Sequence, residues 1–590
     1  MQVGRRRLAA LRSRARAWVR PAAGRREPQP PRPPGNPERL ARLLAHAGPR
    51  TPRDVVVIAD SMSAALRDAL ATAFTGATTT VIVRREPEVD LPGATVHVAT
   101  RTEQRALILA AVPAPDTIVD LSRRPNDKQG ALRRLFGFLA DGGVYLSADA
   151  STTDSDAMRA ALEELAAAPE VPDELPVVRD ADPVSEARER AFAVRSFARV
   201  GDDVVVVKQG DHLRKLRDWD ADGVLTARLG TTWGATLLEE PAFTFEPTNT
   251  VTVYGEGLVD VARRSFDVPE MRVRVYEGAT IAARQLVTLG DLVAPDSFRH
   301  PHQGRLHNGK VLAFSSPYVG RLQPDVPREP TGEVEGALFH LDTEYPNHFG
   351  HITTEVLARC WGWEHARALE PGLRPLVAVG PGQPGVAQFQ LDLLAGVGID
   401  MSDPVVIWPG QRLRVERLYA ATPQFENPHH THPRLADVWS RLADGLGRGP
   451  SPVANERVFI SRRHAKRECL NREEIEAFFA DAGYAVVYPE QYSYAEQCAI
   501  FSQARLLAGF GGSGMFGMMF ARRARVVIIS GDGYHANNEE LMAATNGNEL
   551  HYFWGTSVDR PARAYDHSVL NSDFTFDLDR FRTELSAAIR

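Results

Sequence analysis

The sequence predicts a multidomain α/β protein, and three observations carry that reading. Short β-branched runs alternate with helix-length segments through residues 51–150 and again through 457–530. At 590 residues the chain exceeds one ordinary core, while 43% hydrophobic and 24% charged content is that of a globular protein. A glycine-rich turn, Gly509-Phe510-Gly511-Gly512-Ser513-Gly514-Met515, joins an apolar strand to a short helix. In α/β folds such a turn commonly meets an anion. Composition shifts divide the chain into a basic tail and proline-rich linker (1–50), a Rossmann-like unit (51–235), a second α/β unit (240–446) and a C-terminal unit (453–590).

Composition also excludes several classes. No apolar run approaches the roughly 20 residues of a spanning helix. Cys360, Cys469 and Cys498 lie far apart, without CxxC spacing, so neither a disulfide framework nor a structural zinc centre is expected. A reducing, cytoplasmic setting follows, and the arginine-rich start lacks the apolar core of a signal peptide. Net charge is -6, yet residues 1–50 hold thirteen arginines against Glu27 and Glu38. The basic surplus sits in a tail, not a groove, so nucleic acid is not an expected partner. Residues 1–20 place Leu8, Leu11, Ala15 and Trp18 at helical spacing among arginines. They read either as an amphipathic helix lying on the inner face of the plasma membrane or as a disordered tail.

Within 51–150, strands are expected at Val55–Ala59, Thr79–Val83, Thr95–Ala99, Thr117–Leu121 and Val144–Ser147, with helices near 61–74 and 129–139. The stretch IVDLSRRPNDKQGALRRLFGFLADGGVYLSADA resembles the late strands of class I methyltransferases. Those bind S-adenosylmethionine through a glycine-rich turn after the first strand. Here that turn is IADSMSAAL, without glycine, so close backbone approach is denied and a structural role is expected. The strand Asp203–Lys208 completes this unit.

In the C-terminal unit, Val458–Ser461 reads as a strand with Arg462 and Arg463 at its carboxyl end. Asn471 with Glu474, and Ser493 with Glu496, are spaced as capping boxes. Strands follow at Ala485–Tyr488, Leu506–Gly509 and Val526–Ile529. Arg462 and the glycine turn make a phosphate-site candidate, since guanidinium and backbone N–H groups both suit anion oxygens. The same glycines equally suit a tight packing turn. Asp532, His535, Asn537 and Asn538 follow the last strand, where a ribose or sugar would sit.

The strand motif VFISRR, the segment YSYAEQCAIFSQARLLAG, the glycine turn before GMFGMMFARRARVVIIS and the upstream NHFGHITTEVLARCWGWEH together resemble glycosyltransferase family 61, the DUF563 group. The resemblance spans about residues 245–560 and is strongest at 340–370 and 457–530. It implies a two-lobed GT-B-like fold, with a nucleotide-sugar donor on the C-terminal lobe and a glycan or other hydroxyl acceptor on the lobe before it. Family members often carry histidine where this chain has Gly511. Donor contacts are therefore assigned to Ser461, Arg462, Gly511, Gly512, Ser513, Gly514 and Met515, with Glu496 a further candidate for the ribose.

Inverting transfer needs a base for the acceptor hydroxyl and positive charge near the departing diphosphate. His351 and Glu355, four apart on one helical face, are the expected catalytic pair, with His348 beside them. Glu355 could instead pair with Arg359. HExxH is absent and no metal or cofactor is expected. His300, His302 and His307, and likewise His429, His430 and His432, read as surface or acceptor-facing loops. Abundant Ala, Arg, Gly and Pro are typical of a GC-rich bacterial genome, which makes cell-surface polysaccharide the natural acceptor. Two other functions stay open: a non-catalytic nucleotide-sugar-binding scaffold, and a methyltransferase acting through residues 51–150.

Overall fold

The computed structural model describes residues 35–47, 51–112, 114–123, 128, 131–132, 134–150, 193–210, 213, 215–303, 308–309, 311, 320–322, 326–447, 449–463, 466–559 and 569–590. The readings of residues 1–20 and of His307, and most of the 21–37 linker, lie outside them.

The first unit is a seven-stranded sheet. Its strands are β1 (Asp54–Ala59), β2 (Thr78–Val83), β3 (Ala94–Val98), β4 (Thr117–Asp120), β5 (Val144–Ser147), β6 (Val194–Val200) and β7 (Asp203–Lys208). They lie in the order β3-β2-β1-β4-β5-β7-β6. The first five are parallel, and β7 is antiparallel to both of its neighbours. Near-continuous Val and Ile runs in β1 and β4 are those of strands covered on both faces. This is a Rossmann-like sheet, and it corrects one boundary. Helix α1 (Asn36–Ala47) falls in the expected tail, but it packs on β5 and β7, with Leu40 and Leu43 buried in this unit's core.

A mixed sheet follows. Gly332–His340 runs parallel to Arg374–Ala378 on one side and to Arg412–Ala421 on the other. Antiparallel strands, Met271–Glu277 among them, extend it. One face shares a hydrophobic core with the helices of the first unit. The other shares a core with the C-terminal unit, from Val273 and Phe339 to Val458 and Ile528.

Among the described residues the C-terminal sheet has seven strands, six of them parallel, with Phe574–Thr575 antiparallel to Glu549–Ser557. The order of the parallel strands is Val251–Tyr254, Glu549–Ser557, Arg525–Gly531, Leu506–Phe510, Arg457–Ile460 and Ala485–Val487. Val251–Tyr254 was expected in the preceding unit; pairing with Glu549–Ser557 carries it into this one. The expected Asn471 box is absent: Asn471 donates to the Glu474 side chain instead of capping its helix. The Ser493–Glu496 box forms as expected. Among the described residues, no helix is long and apolar enough to cross a membrane.

Candidate active site

Strand order selects the crevice. The chain leaves Arg457–Ile460 to one side for Ala485–Val487, then returns to the other side for Leu506–Phe510. Ligands of open α/β sheets bind beyond the carboxyl ends of strands at such a reversal. Ser461-Arg462 and Gly511-Gly512 emerge side by side there.

The glycines are dictated by space as much as by torsion. A Cβ at Gly511 would lie 2.9 Å from Ser530 Oγ, so a larger residue would need the turn to shift. Gly512 has φ +126°, and a Cβ there would lie 3.2 Å from Arg462 Nη1 and 2.9 Å from Arg467 Nη2. Two guanidinium groups thus rest on bare backbone. Arg462 donates to the carbonyls of Gly511 (3.3 Å) and Arg467. Arg467 lies over the Tyr534 ring, 4.8 Å from its centroid. The Nε atoms of both arginines are buried without an acceptor among the described residues. Burial and then the neighbouring Arg467 push the Arg462 guanidinium down to about 10, which leaves it charged at neutral pH.

The amides divide into two sets. Gly511 N–H donates to Ile529 O, and Gly512 N–H to Glu539 Oε1 at 2.6 Å. The N–H groups of Ser513 and Gly514 begin the short helix Ser513–Met519 and have no acceptor among the described residues. A Cβ on Gly514 would meet nothing within 4 Å, so that end opens outward. Glu539 is fully buried, and burial raises its carboxyl above the ordinary range.

Three expected donor contacts need correction. The Ser461 hydroxyl is buried and donates to Glu476. Met515 has its side chain wholly in the core beneath the turn. Both Ser493 N–H and Ser493 Oγ donate to Glu496 Oε2, and no hydrogen bond joins Glu496 to the glycine turn among the described residues.

The opposite wall follows the strand Gly332–His340 and begins with a turn in which Asn347 takes φ +65°. Helix Phe349–His351 continues as one wide π-turn, Ile352–Val356, then as 3-10 and α helix to Leu369. Single π-turns inside helices frequently mark functional sites. Here it turns His351 onto Glu355: His351 Nδ1 lies 2.6 Å from Glu355 Oε1. Arg299 donates to the same oxygen at 2.7 Å, and Thr343 Oγ1 to Oε2 at 2.7 Å. Burial favours the neutral acid at Glu355. Arg299, His351 and Thr343 outweigh it and hold the carboxyl well below the usual carboxylate range. Arg359, the alternative partner, donates to Asp342 O instead.

Tyr345 stacks on the His351 ring at 4.4 Å, and His348 lies at 4.7 Å. His348 is exposed. Its imidazole is depressed to about 4 by surrounding protein and then by His351, a shift that solvent around an exposed ring weakens. The two walls touch. A Cβ on Gly350 would lie 3.5 Å from the Phe516 ring, and Phe349 stacks on Tyr494 at 5.6 Å.

Asp532, His535 and Asn537 do not face the turn as a group. Asp532 accepts from Ser557 N–H, and Asn537 donates to Asp260 O and Glu540. Sequence reasoning missed Arg299, Thr343 and Arg467. Arg467 carried a signal, the basic run after the first strand; Arg299 stands 56 positions before its partner, with no local pattern to find.

Fold and site together define an α/β protein in which a cationic glycine turn and a carboxylate-held imidazole lie on two walls joined by the Gly350–Phe516 and Phe349–Tyr494 contacts. Residues 349–528 match the Glycosyltransferase 61 family, in agreement with the resemblance carried by the motifs. No curated protein matches the chain.

Similar solved structures include the MycE methyltransferase of the mycinamycin biosynthetic pathway, at 14% identity over 34% of this chain and 56% of that one, TM-score 0.23. Human methyltransferase-like protein 13 aligns at 15% identity over 33% of this chain and 84% of its own, TM-score 0.18. The fibrillarin/Nop5p complex aligns at 10% identity over 30% and 82%, TM-score 0.21. The chain thus spans about half the length of the first of these.

Proposed function

We propose that this protein is a glycosyltransferase that moves a sugar from a nucleotide-diphosphate donor to a hydroxyl acceptor with inversion. The observation that carries the reading is the meeting of Arg462, Arg467 and the glycine turn at a strand-order reversal, opposite His351. In this reading the acceptor lobe is the mixed sheet and the donor lobe the C-terminal sheet, in a GT-B-like pair. The acceptor is a cell-surface glycan assembled from the cytoplasmic side.

In this reading the base is His351, and Glu355 supports it. Glu355 is held ionised by three partners, which makes it a poor proton acceptor. It orients His351 through Nδ1–H, leaving Nε2 as the lone-pair nitrogen. His351 Nε2 takes the acceptor hydroxyl proton as the new C–O bond forms. The bond from the anomeric carbon to the phosphate oxygen breaks, and its electron pair leaves on the diphosphate. Arg462, Arg467 and the Ser513 and Gly514 amides stabilise that charge. Glu355 is then a positioning residue, and this chemistry calls on no catalytic metal.

The test is a panel of nucleotide sugars read by calorimetry and by turnover, with Glu355→Gln alongside. The variant should bind donor as the parent does, turn over about 10–100-fold more slowly, and shift the acid limb of its pH–rate profile. An unchanged rate and profile would contradict the assignment.

A second reading, a nucleotide-sugar-binding scaffold, is favoured by one observation: the Glu539 carboxylate already occupies the Gly512 amide. Donor binding without any turnover would select it.

A further inference from the structure

The histidines expected on surface loops are drawn together away from the glycine turn. His300, His430 and His432 are buried, and His302 has only 6% of its side chain exposed. His300 meets His429 edge to face at 5.5 Å, and His302 meets His430 at 5.8 Å. Between them lies Glu426, 1% exposed, whose Oε1 has no partner among the described residues and whose Oε2 has the His302 imidazole as its ion-pair partner. A buried carboxylate in that condition is costly unless a cation compensates it. His302 supplies that charge at one oxygen only: its Nδ1 lies 3.5 Å from Glu426 Oε2 while its Nε2, shared with Asp218 at 3.6 Å, points away, so Oε1 is left for a second cation.

We propose that His300, Glu426 and His429 form a binding site for a divalent transition-metal ion of the zinc type. Their ligand atoms all lie within 4.8 Å of one another. Ligands about 2.0–2.2 Å from a tetrahedral zinc stand roughly 3.3–3.6 Å apart, so modest closure completes the triangle. Two imidazoles and one carboxylate suit zinc, cobalt or iron(II), and not magnesium or calcium, which prefer all-oxygen ligands. His302, between Glu426 and Asp218, is placed to orient the carboxylate from behind.

The backbone supports the same assignment. Glu426 and His429 close a tight hairpin, Phe425–Glu426 against His430–Thr431, in which His429 N–H donates to Glu426 O. Arg263 fastens its tip by donating to Pro428 O. His300 directly follows Arg299, the residue bonded to Glu355. An ion here would therefore tie the hairpin to the loop whose Arg299 holds the positioning carboxylate, Glu355. Its role is structural.

The test uses the untagged full-length chain, stripped with chelator and titrated with zinc by calorimetry and with cobalt by absorption. The expected result is one equivalent of either ion, with cobalt giving visible d–d bands of nitrogen and oxygen ligation and no thiolate charge-transfer band. His429→Gln and Glu426→Gln should each weaken zinc binding at least about tenfold, while His97→Gln, outside the cluster, leaves it unchanged. Affinity equal to the parent in both cluster variants would overturn the proposal. Failure of the parent chain to take up cobalt saturably would overturn it however the variants fold.

Discussion

Two sheets in this molecule reverse their strand order among parallel strands, and their crevices have opposite fates. In the first unit the reversal lies between β1 and β4, and the protein itself fills it. Ser122 donates to one oxygen of Asp120 through both N–H and hydroxyl, and Tyr145 donates to the other. Arg39 of α1 reaches across to Leu121 O at 2.6 Å and pairs with Asp149 at 2.5 Å. Arg123 N–H donates to Asp60 where a cofactor-binding fold would carry its glycine turn. In the C-terminal unit the equivalent crevice keeps two guanidinium Nε atoms and two helix-start amides without partners among the described residues. The same topology serves as a scaffold when its polar groups bond one another and as a binding site when they do not.

The sharpest way to break this comparison is at the acceptor wall. His351→Ala should lower turnover about 10²–10⁴-fold while donor affinity stays within about threefold, measured by initial rates and calorimetry. A loss of binding instead would make His351 a donor contact. Next in size is the filled crevice. Arg39→Ala removes a buried guanidinium with four partners and should cost about 2–4 kcal/mol, read as a lower unfolding midpoint, with donor affinity unchanged. S-adenosylmethionine should give no calorimetric signal with the parent chain; tight binding would restore the methyltransferase reading.

Arg462→Lys keeps the charge but loses the planar fork, and should weaken nucleoside-diphosphate binding about tenfold. The smallest effect concerns Glu539. Burial raises its folded-state carboxyl, so its proton is held at low pH and lost as pH rises through that raised value. Ionised Glu539 then competes with phosphate for the glycine turn, and donor affinity should fall as pH rises. Glu539→Gln should flatten that dependence and improve affinity about threefold at the alkaline end.

The strands were legible because their signal is local. Asp203–Lys208 appears with its expected bounds, and the strands around the glycine turn shift by one or two residues. The Ser493–Glu496 box was equally readable, since one turn of chain contains the whole interaction. The same confinement made Asn471 misleading: its side-chain oxygen accepts from Phe576 N–H, 105 positions away, in place of its own helix. Residue choice within the candidate site divides likewise. His351 with Glu355 is a four-residue spacing. Ser461 and Met515 sat in the right motif, but which way a side chain points depends on what packs against it.

By itself the sequence determined the alternation of strand and helix, the glycine turn, the arginines after the Arg457–Ile460 strand, and the His351–Glu355 pair, because each is written within about a dozen residues. Tertiary structure alone decided that Val251–Tyr254 pairs with the far later strand Glu549–Ser557. It also decided that Arg299 locks Glu355, that α1 closes the first crevice, and that histidines from two distant loops surround Glu426. The physical reason is shared: pairing, ion contacts and burial depend on distance in space, which spacing along a chain does not encode.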